Sequence, residues 1–511
     1  MDYCFRRSCF VEEKEIVVNF CVTTPIYYIN GDPHIGHAYA SIAADIIARF
    51  KRLDGYTVHF STGTDEHGVK VARSAENVGM DTHHFSNIMS QKFRDLSRAI
   101  NLSEDDFIRT TEERHKKSAQ TFWKLLEKDI YKSIYSGWYS ARDEEYVPEN
   151  EIVDGKAPSG APVEWMEEES YFFKLSAYQD KLLEHYEKYP DFIGPNARRN
   201  EVISFVKSGL KDLSISRSKF NWGIPIPDSD GHVMYVWIDA LANYITSLGF
   251  PENKEYVSQM MENCVHVVGK EILRFHAVYW PAFLMSAGIT LPKRVFAHGW
   301  WTCDKEKMSK SVGNVVDPFY IIQNYGLDQL RYFLFREVRF GEDGDFSEEA
   351  LKNRILYDLA NDLGNLVQRV LAFIQKFGGH LTVNYDFSDQ ERILFANAKN
   401  LVSRMRSQIE KQDLHGALNT VWNLVSESNK FTNDMRPWEL VKTDVSRLNA
   451  VLTVLCESIR SIAFGIAPFM PDTARKIFNF MNVEGKSFDE IENNFIDQKF
   501  VELSPLFPKE K

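Results

Sequence analysis

Cysteine is scarce in this chain of 511 residues, which contains only six. They are scattered at positions 4, 9, 21, 264, 303 and 456, and no two of them form a CxxC pair. A disulfide framework or a zinc knuckle needs paired cysteines, so the sequence argues against both. The pattern fits a protein of a reducing compartment.

Long apolar runs are also missing, because no stretch approaches the roughly 20 residues that a membrane-spanning helix needs. We therefore predict no membrane partner. The first 13 residues contain Arg6 and Arg7 but also three acidic residues and no apolar core. This segment is a poor match to a signal peptide and a weak match to a transit peptide.

An excess of positive charge is lacking as well, since 72 acidic and 60 basic side chains give a net charge of −12. Charge alone argues against a nucleic-acid partner, which would have to bind through local basic patches. The hydrophobic fraction of 44% and the charged fraction of 26% are typical of a soluble globular protein. The length predicts two or three domains.

The most informative stretch is Pro33-His34-Ile35-Gly36-His37. Residues 15–24 before it are rich in β-branched side chains and predict a buried strand. Residues 38–53 after it carry apolar side chains at helical spacing and precede a glycine, which predicts a helix. A strand, a tight turn and a helix start form a natural anion site. This favours a nucleotide triphosphate site, although two ordinary surface or capping histidines fit the local sequence equally well.

A second stretch, Lys307-Met308-Ser309-Lys310-Ser311, carries ammonium and hydroxyl groups that suit polyphosphate oxygens. Taken alone, it is better explained as a solvated surface loop. Together, the two stretches resemble, letter for letter, the HIGH and KMSKS signatures of class I aminoacyl-tRNA synthetases.

The order of predicted elements indicates an α/β fold, with a Rossmann-like doubly wound parallel sheet. A second strand at 56–61 ends in the polar turn 62–68. Ligands collect beyond the carboxyl ends of such strands, so Asp65 is expected to face the same crevice as His34 and His37. The alternative for Asp65 is a helix N-cap.

The remaining segments predict an inserted connective domain and a C-terminal α-helical bundle. The insertion contains short strands over 131–146 and an amphipathic helix over 171–183. The sheet resumes with predicted strands at 233–237 and 265–269, with helices from 238 and over 272–286. Helical periodicity then dominates over 353–377, 389–411, 414–435 and 443–466. The predicted domains are residues 1–111 and 223–346 (the two halves of the catalytic domain), 112–222 (the insertion) and 347–511 (the bundle).

Further motifs resemble those of the methionyl-tRNA synthetase family in particular. They are residues 23–30, 63–68 and 236–240, and Phe275-His276 with Trp280. This resemblance implies ATP-dependent ligation of L-methionine to its tRNA through a methionyl-adenylate, with release of AMP and pyrophosphate. It implies ATP with Mg²⁺ as cofactor, and methionine and tRNA(Met), including the initiator, as partners.

The resemblance also implies roles for individual residues. Asp65 would bind the substrate ammonium, and His34, His37, Lys307 and Lys310 would be catalytic. The implied methionine pocket comprises Ile26, Tyr28, Asp65, Trp237, Ala240, Leu241, Tyr244, Ile272, Phe275, His276 and Trp280. The implied ATP site comprises His34, Gly36, His37, Gly269, Glu271, Lys307, Ser309 and Lys310. The implied anticodon readers are Asn365, Arg369 and Trp438, although a solvated helix face with a packed tryptophan explains these three better from the residues alone.

The chain departs from the family pattern in its insertion. Many relatives carry zinc knuckles there, whereas residues 137–143 contain no cysteine and none lies between Cys21 and Cys264. We therefore predict no structural zinc and no metal-ligating residues in this chain, with Mg²⁺ accompanying ATP. The dimerising C-terminal module of some relatives is also missing, which suggests a monomer. The resemblance is to the bacterial, zinc-free subgroup, so the expected location is the cytoplasm, with the mitochondrial matrix as the alternative.

Two other functions remain open at this point. A class I synthetase for another amino acid would share both signatures, but the short distance between them leaves little room for a large editing insertion. A catalytically silent relative that only binds tRNA or a partner is the second. The intact signatures and Asp65 argue against it. Methionine-dependent exchange between ATP and pyrophosphate would distinguish an active enzyme from such a silent relative.

Overall fold

The computed structural model describes residues 18–140, 145–229, 231–303, 306–308, 314–376, 378–501 and 505–507. The side chains at 135, 145, 146, 306 and 307 are not included in this description. Ser309 and Lys310 therefore lie outside the described residues, and Lys307 is described by its backbone alone.

A seven-stranded parallel sheet forms the centre of the molecule, which confirms the predicted α/β class. Its strands are Asn19–Thr23, Tyr27–Tyr28, Thr57–Asp65, Asp106–Arg109, Ile193–Gly194, Cys264–Gly269 and Arg294–His298. Asn19–Thr23 pairs with Cys264–Gly269, with Cys21 opposite Cys264. Thr57–Asp65 lies on the other side of the first strand, and Arg294–His298 on the other side of the second. The strand order thus reverses at the central pair, where doubly wound sheets bind their ligands.

Helices cover both faces of the sheet. They are Ile35–Leu53, Val69–Asn77, Thr82–Ala99, Glu113–Leu126, Val236–Thr246, Lys254–Met261, Trp280–Ala287, Pro318–Tyr325 and Leu327–Arg336. The first of these is almost wholly buried, because Ala38, Ile42 and Ile46 recur at helical spacing beside further alanines. Its side chains belong to a hydrophobic core that continues into the C-terminal helices.

The inserted segment forms a four-stranded antiparallel sheet from Ile130–Ser140, Glu145–Val147, Glu164–Phe173 and Leu213–Ser214. The helices Gln179–Lys188 and Asn196–Lys207 accompany it. The predicted helix over 171–183 is wrong in its first part. Tyr171 to Phe173 pair across the sheet with residues 130–132, since aromatic side chains suit a half-buried pleated surface.

Two predictions near the crevice are also corrected. The strand predicted over 233–237 ends at Met234, and Trp237 lies in the first turn of the helix that begins at Val236. The helix predicted over 272–286 is split into a 3₁₀ turn (Lys270–Ile272), a π-helix (Phe275–Tyr279) and an α-helix (Trp280–Ala287). Pro281 has no N–H to donate to the carbonyl of Ala277. The hydroxyl of Tyr186 donates to that carbonyl instead, at 2.5 Å.

The C-terminal region is helical, as predicted. Its helices are Glu348–Arg354, Asn365–Lys376, Asp389–Lys399, Leu401–Glu410, Leu414–Met435, Pro437–Thr443, Val445–Ile466 and Pro471–Met481, with a π-helix at Ile355–Gly364. The prediction that no stretch approaches the length and apolarity of a membrane span is wrong for Val445–Ile466, which is long and apolar enough by length and composition. Since 94% of its most apolar window is buried, it is the core helix of this region.

Small sheets complete the described structure. They pair Ser216–Arg217 with Val233–Met234, Trp301–Cys303 with Glu306–Lys307 and Gly344–Phe346, and His380–Leu381 with Gln498–Lys499.

Candidate active site

Two histidines cap the helix Ile35–Leu53. Nδ1 of His34 accepts a hydrogen bond from the Gly36 N–H, and Nδ1 of His37 accepts one from the His34 N–H, each at 3.1 Å. Since both Nδ1 atoms accept, the neutral rings carry their hydrogen on Nε2, which becomes a donor. The two rings lie 3.8 Å apart. The histidines therefore cap the helix and at the same time hold two donors close together at its positive end.

Gly36 is required by the packing of this cap. A Cβ atom at this position would lie 2.9 Å from Cε1 and 3.0 Å from Nδ1 of His34. Any larger residue would displace the imidazole that caps the helix.

Asp65 lies at the carboxyl end of the strand Thr57–Asp65, opposite Tyr28 in the register of the sheet. Its exposed fraction is only 3%. The N-cap of the next helix is Gly68, so the N-cap alternative for Asp65 is wrong. Tyr27 contacts the ring of His37 at 4.8 Å, and residues 27–28 thereby connect the histidine turn to Asp65. Ile26 is half-buried immediately before them.

Aromatic side chains from two helical segments pack together at the same crevice. The rings of Trp237 and Phe275 are stacked at 3.8 Å with an interplanar angle of 6°. The Tyr244 hydroxyl lies 2.7 Å from Nε2 of His276. Trp237, Ala240, Leu241 and Tyr244 share one helix face by their spacing. Ala240 and Leu241 are buried, and Ile272 is half-buried.

His276 is held in one neutral tautomer. Its Nδ1–H donates to the carbonyl of Ile272 at 2.9 Å, so Nε2 accepts from the Tyr244 hydroxyl. Burial lowers the pKa of His276 to about 4, against the opposing effect of the Ile272 carbonyl. The imidazole is therefore uncharged near neutral pH.

His266 belongs to this cluster, although it was not predicted as a site residue. Its Nε2 accepts from the indole N–H of Trp280 at 3.2 Å, and its Nδ1 donates to Thr23 Oγ1 at 2.8 Å. The Tyr244 ring stacks on it at 4.1 Å. Burial holds the pKa of His266 well below its usual range. A histidine inside the apolar strand run 264–269 was the available signal in the sequence.

A second unpredicted group centres on Asp239, which is fully buried. Its two carboxylate oxygens contact Nδ1 of His67 at 2.7 Å and Nε2 of His115 at 2.8 Å. Burial alone would raise the pKa of Asp239, but the two histidines lower it to about 2. An aspartate within the apolar helix 236–246 was the signal that could have pointed to this group.

Gly269 and Glu271 lie at the carboxyl end of Cys264–Gly269, one of the two central strands. A Cβ atom on Gly269 would lie 2.4 Å from Oε1 of Glu271, so the carboxylate packs directly over this glycine. The indole N–H of Trp300, also not predicted, donates to Oε2 of Glu271 at 2.7 Å.

The three residues predicted to contact tRNA lie in the helical region rather than at the crevice. Arg369 donates to the Asn433 side chain at 3.0 Å, and its guanidinium lies 5.6 Å from the ring centre of Trp438. Trp438 is 43% exposed, and Asn365 is exposed one helical turn before Arg369. The structure therefore brings Arg369 and Trp438 together on an accessible surface.

Within the described ranges, no cluster of three or more histidine, cysteine, aspartate or glutamate side chains has the geometry to hold a metal ion.

Comparisons with known proteins place this architecture in one family. Residues 20–371 match the family described as tRNA synthetases class I (M), and residues 383–500 match the anticodon binding domain of methionyl tRNA ligase. A methionine–tRNA ligase of Rhizobium meliloti is 52% identical, covering 91% of this chain and 92% of that protein. One from Rickettsia conorii is 48% identical, covering 96% and 99%. A solved Mycobacterium tuberculosis methionyl-tRNA synthetase in complex with methionyl-adenylate superposes with a TM-score of 0.93 at 46% identity, covering 96% of this chain and 100% of that one.

Proposed function

The chain belongs to the methionyl-tRNA synthetase family and catalyses the ATP-dependent ligation of methionine to tRNA, and we propose that the crevice described above is its active site. The methionine carboxylate attacks the α-phosphorus of ATP, which forms methionyl-adenylate and releases pyrophosphate. A terminal ribose hydroxyl of the tRNA then attacks the carbonyl carbon and releases AMP. No side chain has to act as a nucleophile, so positioning and charge stabilisation supply the catalysis.

The observation that supports this site best is the neutral aromatic pocket beside a buried carboxylate. Asp65 binds the substrate ammonium, and the pocket walls take up the flexible thioether, which aromatic rings hold by roughly 0.3–1.5 kcal/mol per contact. The ring hydrogens of His266 and His276 are both committed to protein oxygens. The remaining walls are Ile26, Tyr28, Trp237, Ala240, Leu241, Tyr244, Ile272, Phe275 and Trp280.

The nucleotide binds between the histidine turn and the end of the neighbouring central strand. The Nε2–H groups of His34 and His37 donate to phosphate oxygens, which approach the backbone at Gly36. Glu271 accepts from the ribose, close to Gly269. Lys307, Ser309 and Lys310 complete the phosphate site, and Mg²⁺ accompanies ATP as its usual counterion rather than occupying a protein cage.

The helical region binds tRNA(Met), the initiator included. An exposed indole offers a stacking surface for an unpaired base, and amide and guanidinium groups can bind base edges. Asn365, Arg369 and Trp438 are the proposed anticodon contacts. We further propose domain limits at residues 111, 222 and 346, a zinc-free insertion, a monomer, and a cytoplasmic location with the mitochondrial matrix as the alternative.

The test is exchange between ATP and pyrophosphate, measured with each of the twenty amino acids in turn. Exchange with methionine alone, lost in Asp65→Asn, supports both the reaction and the pocket. Exchange with another amino acid would overturn the pocket assignment but keep the chemistry. If no amino acid supports exchange, the chain is a silent tRNA-binding relative.

A further inference from the structure

The side chain of Trp300 bridges the ends of two neighbouring strands. Trp300 follows Arg294–His298, while Glu271 follows Cys264–Gly269, which pairs with it. The indole Nε1–H donates to Glu271 Oε2 at 2.7 Å. This contact lies at the carboxyl ends of two parallel strands, one of which belongs to the central pair, where a nucleotide is expected to bind.

The indole is itself fixed in place, although it is 36% exposed. The Lys270 ammonium lies 4.1 Å from the centre of the ring. The same ammonium donates to both oxygens of Asp343, at 2.6 and 2.7 Å, and the backbone N–H of Trp300 donates to Asp343 Oδ1 at 2.8 Å. The preceding backbone is closely packed, since a Cβ atom at Gly299 would lie 2.2 Å from the Glu342 carbonyl oxygen.

A glutamate that has to accept a hydrogen bond from a ligand loses the freedom of several torsions when it does so. A carboxylate that is already oriented avoids most of that cost. Two features orient Glu271 here: close packing over Gly269 and the hydrogen bond from Trp300. A carboxylate has about four acceptor positions, so the bond to Trp300 leaves others for a ligand.

We propose that Trp300 is a positioning residue for ATP, which orients the Glu271 carboxylate toward a ribose hydroxyl. This inference rests on the proposed function, because it takes the nucleotide to bind between the two strand ends. Trp300 does not touch the reacting atoms and acts through Glu271, with Lys270 and Asp343 holding the indole.

The experiment compares ATP, 2′-deoxyATP and 3′-deoxyATP as substrates of methionine-dependent exchange by Trp300→Phe. This variant keeps a ring beneath Lys270 but removes the indole N–H. We expect the KM for ATP to rise about 5- to 10-fold, the effect of one ordinary hydrogen bond, because Trp300 acts on ATP only through Glu271. One of the two deoxy analogues lacks the ribose hydroxyl that Glu271 binds, and its KM should change less than about twofold. The kcat and the KM for methionine should also change less than about twofold. Trp165→Phe, an exposed indole in the inserted sheet, is the matched control and should change none of these.

A second variant separates orientation from general damage. Glu271→Gln should likewise raise the KM for ATP more than the KM for the deoxy analogue that lacks the bound hydroxyl. The double variant should be no worse than Glu271→Gln alone, because the two residues act as one unit. A uniform rise in KM for all three nucleotides, an unchanged KM for ATP, or a lower one would each overturn the proposal. Absence of exchange in the unaltered enzyme would instead contradict the proposed function, and calorimetric binding of the three nucleotides would then still test Trp300.

Discussion

His67 Nδ1 lies 2.7 Å from Oδ2 of Asp239, and this contact joins the two halves of the crevice. His67 belongs to the turn after Thr57–Asp65, whereas Asp239 lies on the helix that carries Trp237 and Tyr244. His115 contacts the other carboxylate oxygen at 2.8 Å. An ionised carboxylate only accepts hydrogen bonds, so both imidazole nitrogens donate to it.

Asp239→Asn should destabilise the protein and weaken methionine binding. The amide keeps the size of the side chain, but its NH₂ group cannot accept the hydrogen of one imidazole. A buried mismatch of this kind costs on the order of 1–3 kcal/mol. We expect a lower denaturation midpoint and a higher KM for methionine. Asp95→Asn, which alters only exposed contacts with Arg98 and Gln91, should leave both within error. Equal denaturation midpoints and equal KM values for methionine in the two variants would show that the Asp239 contacts do not support the pocket.

The low pKa of His276 predicts loss of stability in acid. In the unfolded chain an unperturbed histidine has a pKa of about 6.5, whereas burial lowers that of His276 to about 4 in the fold. Between these values the unfolded state binds a proton that the folded state does not. The stabilising effect of neutral His276 is therefore complete above about pH 6.5 and is lost as the pH falls toward 4.

Urea unfolding of the unaltered protein and of His276→Gln at several pH values measures this effect. Between pH 7 and 5, the free energy of unfolding of the unaltered protein should fall by roughly 2 kcal/mol relative to that of the variant, following 1.36 kcal/mol per pH unit. Parallel pH curves for the two proteins would show that His276 titrates normally. The KM for methionine should also show no step near pH 6.5.

Arg331→Met should be severely destabilising. The Arg331 side chain is fully buried and donates to Asp45 at 2.6 Å, to Ile100 at 3.1 Å and to the carbonyls of Pro468 and Phe469 at 2.9 and 2.8 Å. Asp45 lies on the helix that begins at the capping histidines. Removing one partner of a buried ion pair costs about 3–5 kcal/mol.

The matched control for Arg331→Met is Arg406→Ala. Arg406 pairs with Asp54 at 2.7 Å, but its side chain is 48% exposed, so the cost should be at most about 1 kcal/mol. Denaturation midpoints at one scan rate, with amide hydrogen exchange over residues 35–53, compare the two. Similar protection of these amides from hydrogen exchange in both variants would argue against a role of Arg331 in anchoring this helix.

Trp438→Ala should impair aminoacylation while sparing methionine-dependent exchange between ATP and pyrophosphate. The indole lies on the helical region, and loss of one stacked base costs roughly 1–3 kcal/mol, about a 10- to 100-fold higher KM for tRNA. Trp165→Ala, an exposed indole in the insertion, is the control. If both reactions of Trp438→Ala fall together, the residue supports the fold rather than the tRNA contact.

Local patterns in the sequence were enough to predict the parallel sheet. The runs at 19–23 and 264–269 are apolar and bounded by polar turns, and the two signature stretches could be found without any tertiary information. The turn carrying His34 and His37 lies where these patterns predict it, whereas the strand predicted over 56–61 continues to Asp65, which had been predicted to lie in a turn.

Contacts between distant parts of the chain could not be predicted in this way. Thr23 and His266 are 243 positions apart, and His67 and Asp239 are 172 apart. Their pairing depends on strand register and helix packing, which hydrophobic periodicity does not encode. The π-helix before Pro281 escaped prediction for a related reason, because the hydroxyl that satisfies the Ala277 carbonyl comes from the insertion.

The short strand Ile193–Gly194 comes from the inserted segment, yet it pairs with Arg294–His298 at the border of the central sheet. Cutting out the segment between the helix ending at Leu126 and the strand starting at Val233 would therefore remove part of the catalytic sheet. Val295 and Phe296 would be left on an uncovered border strand, which invites pairing with other chains. A minimal enzyme made by such a deletion should aggregate, so any shortened version has to retain this strand or replace it.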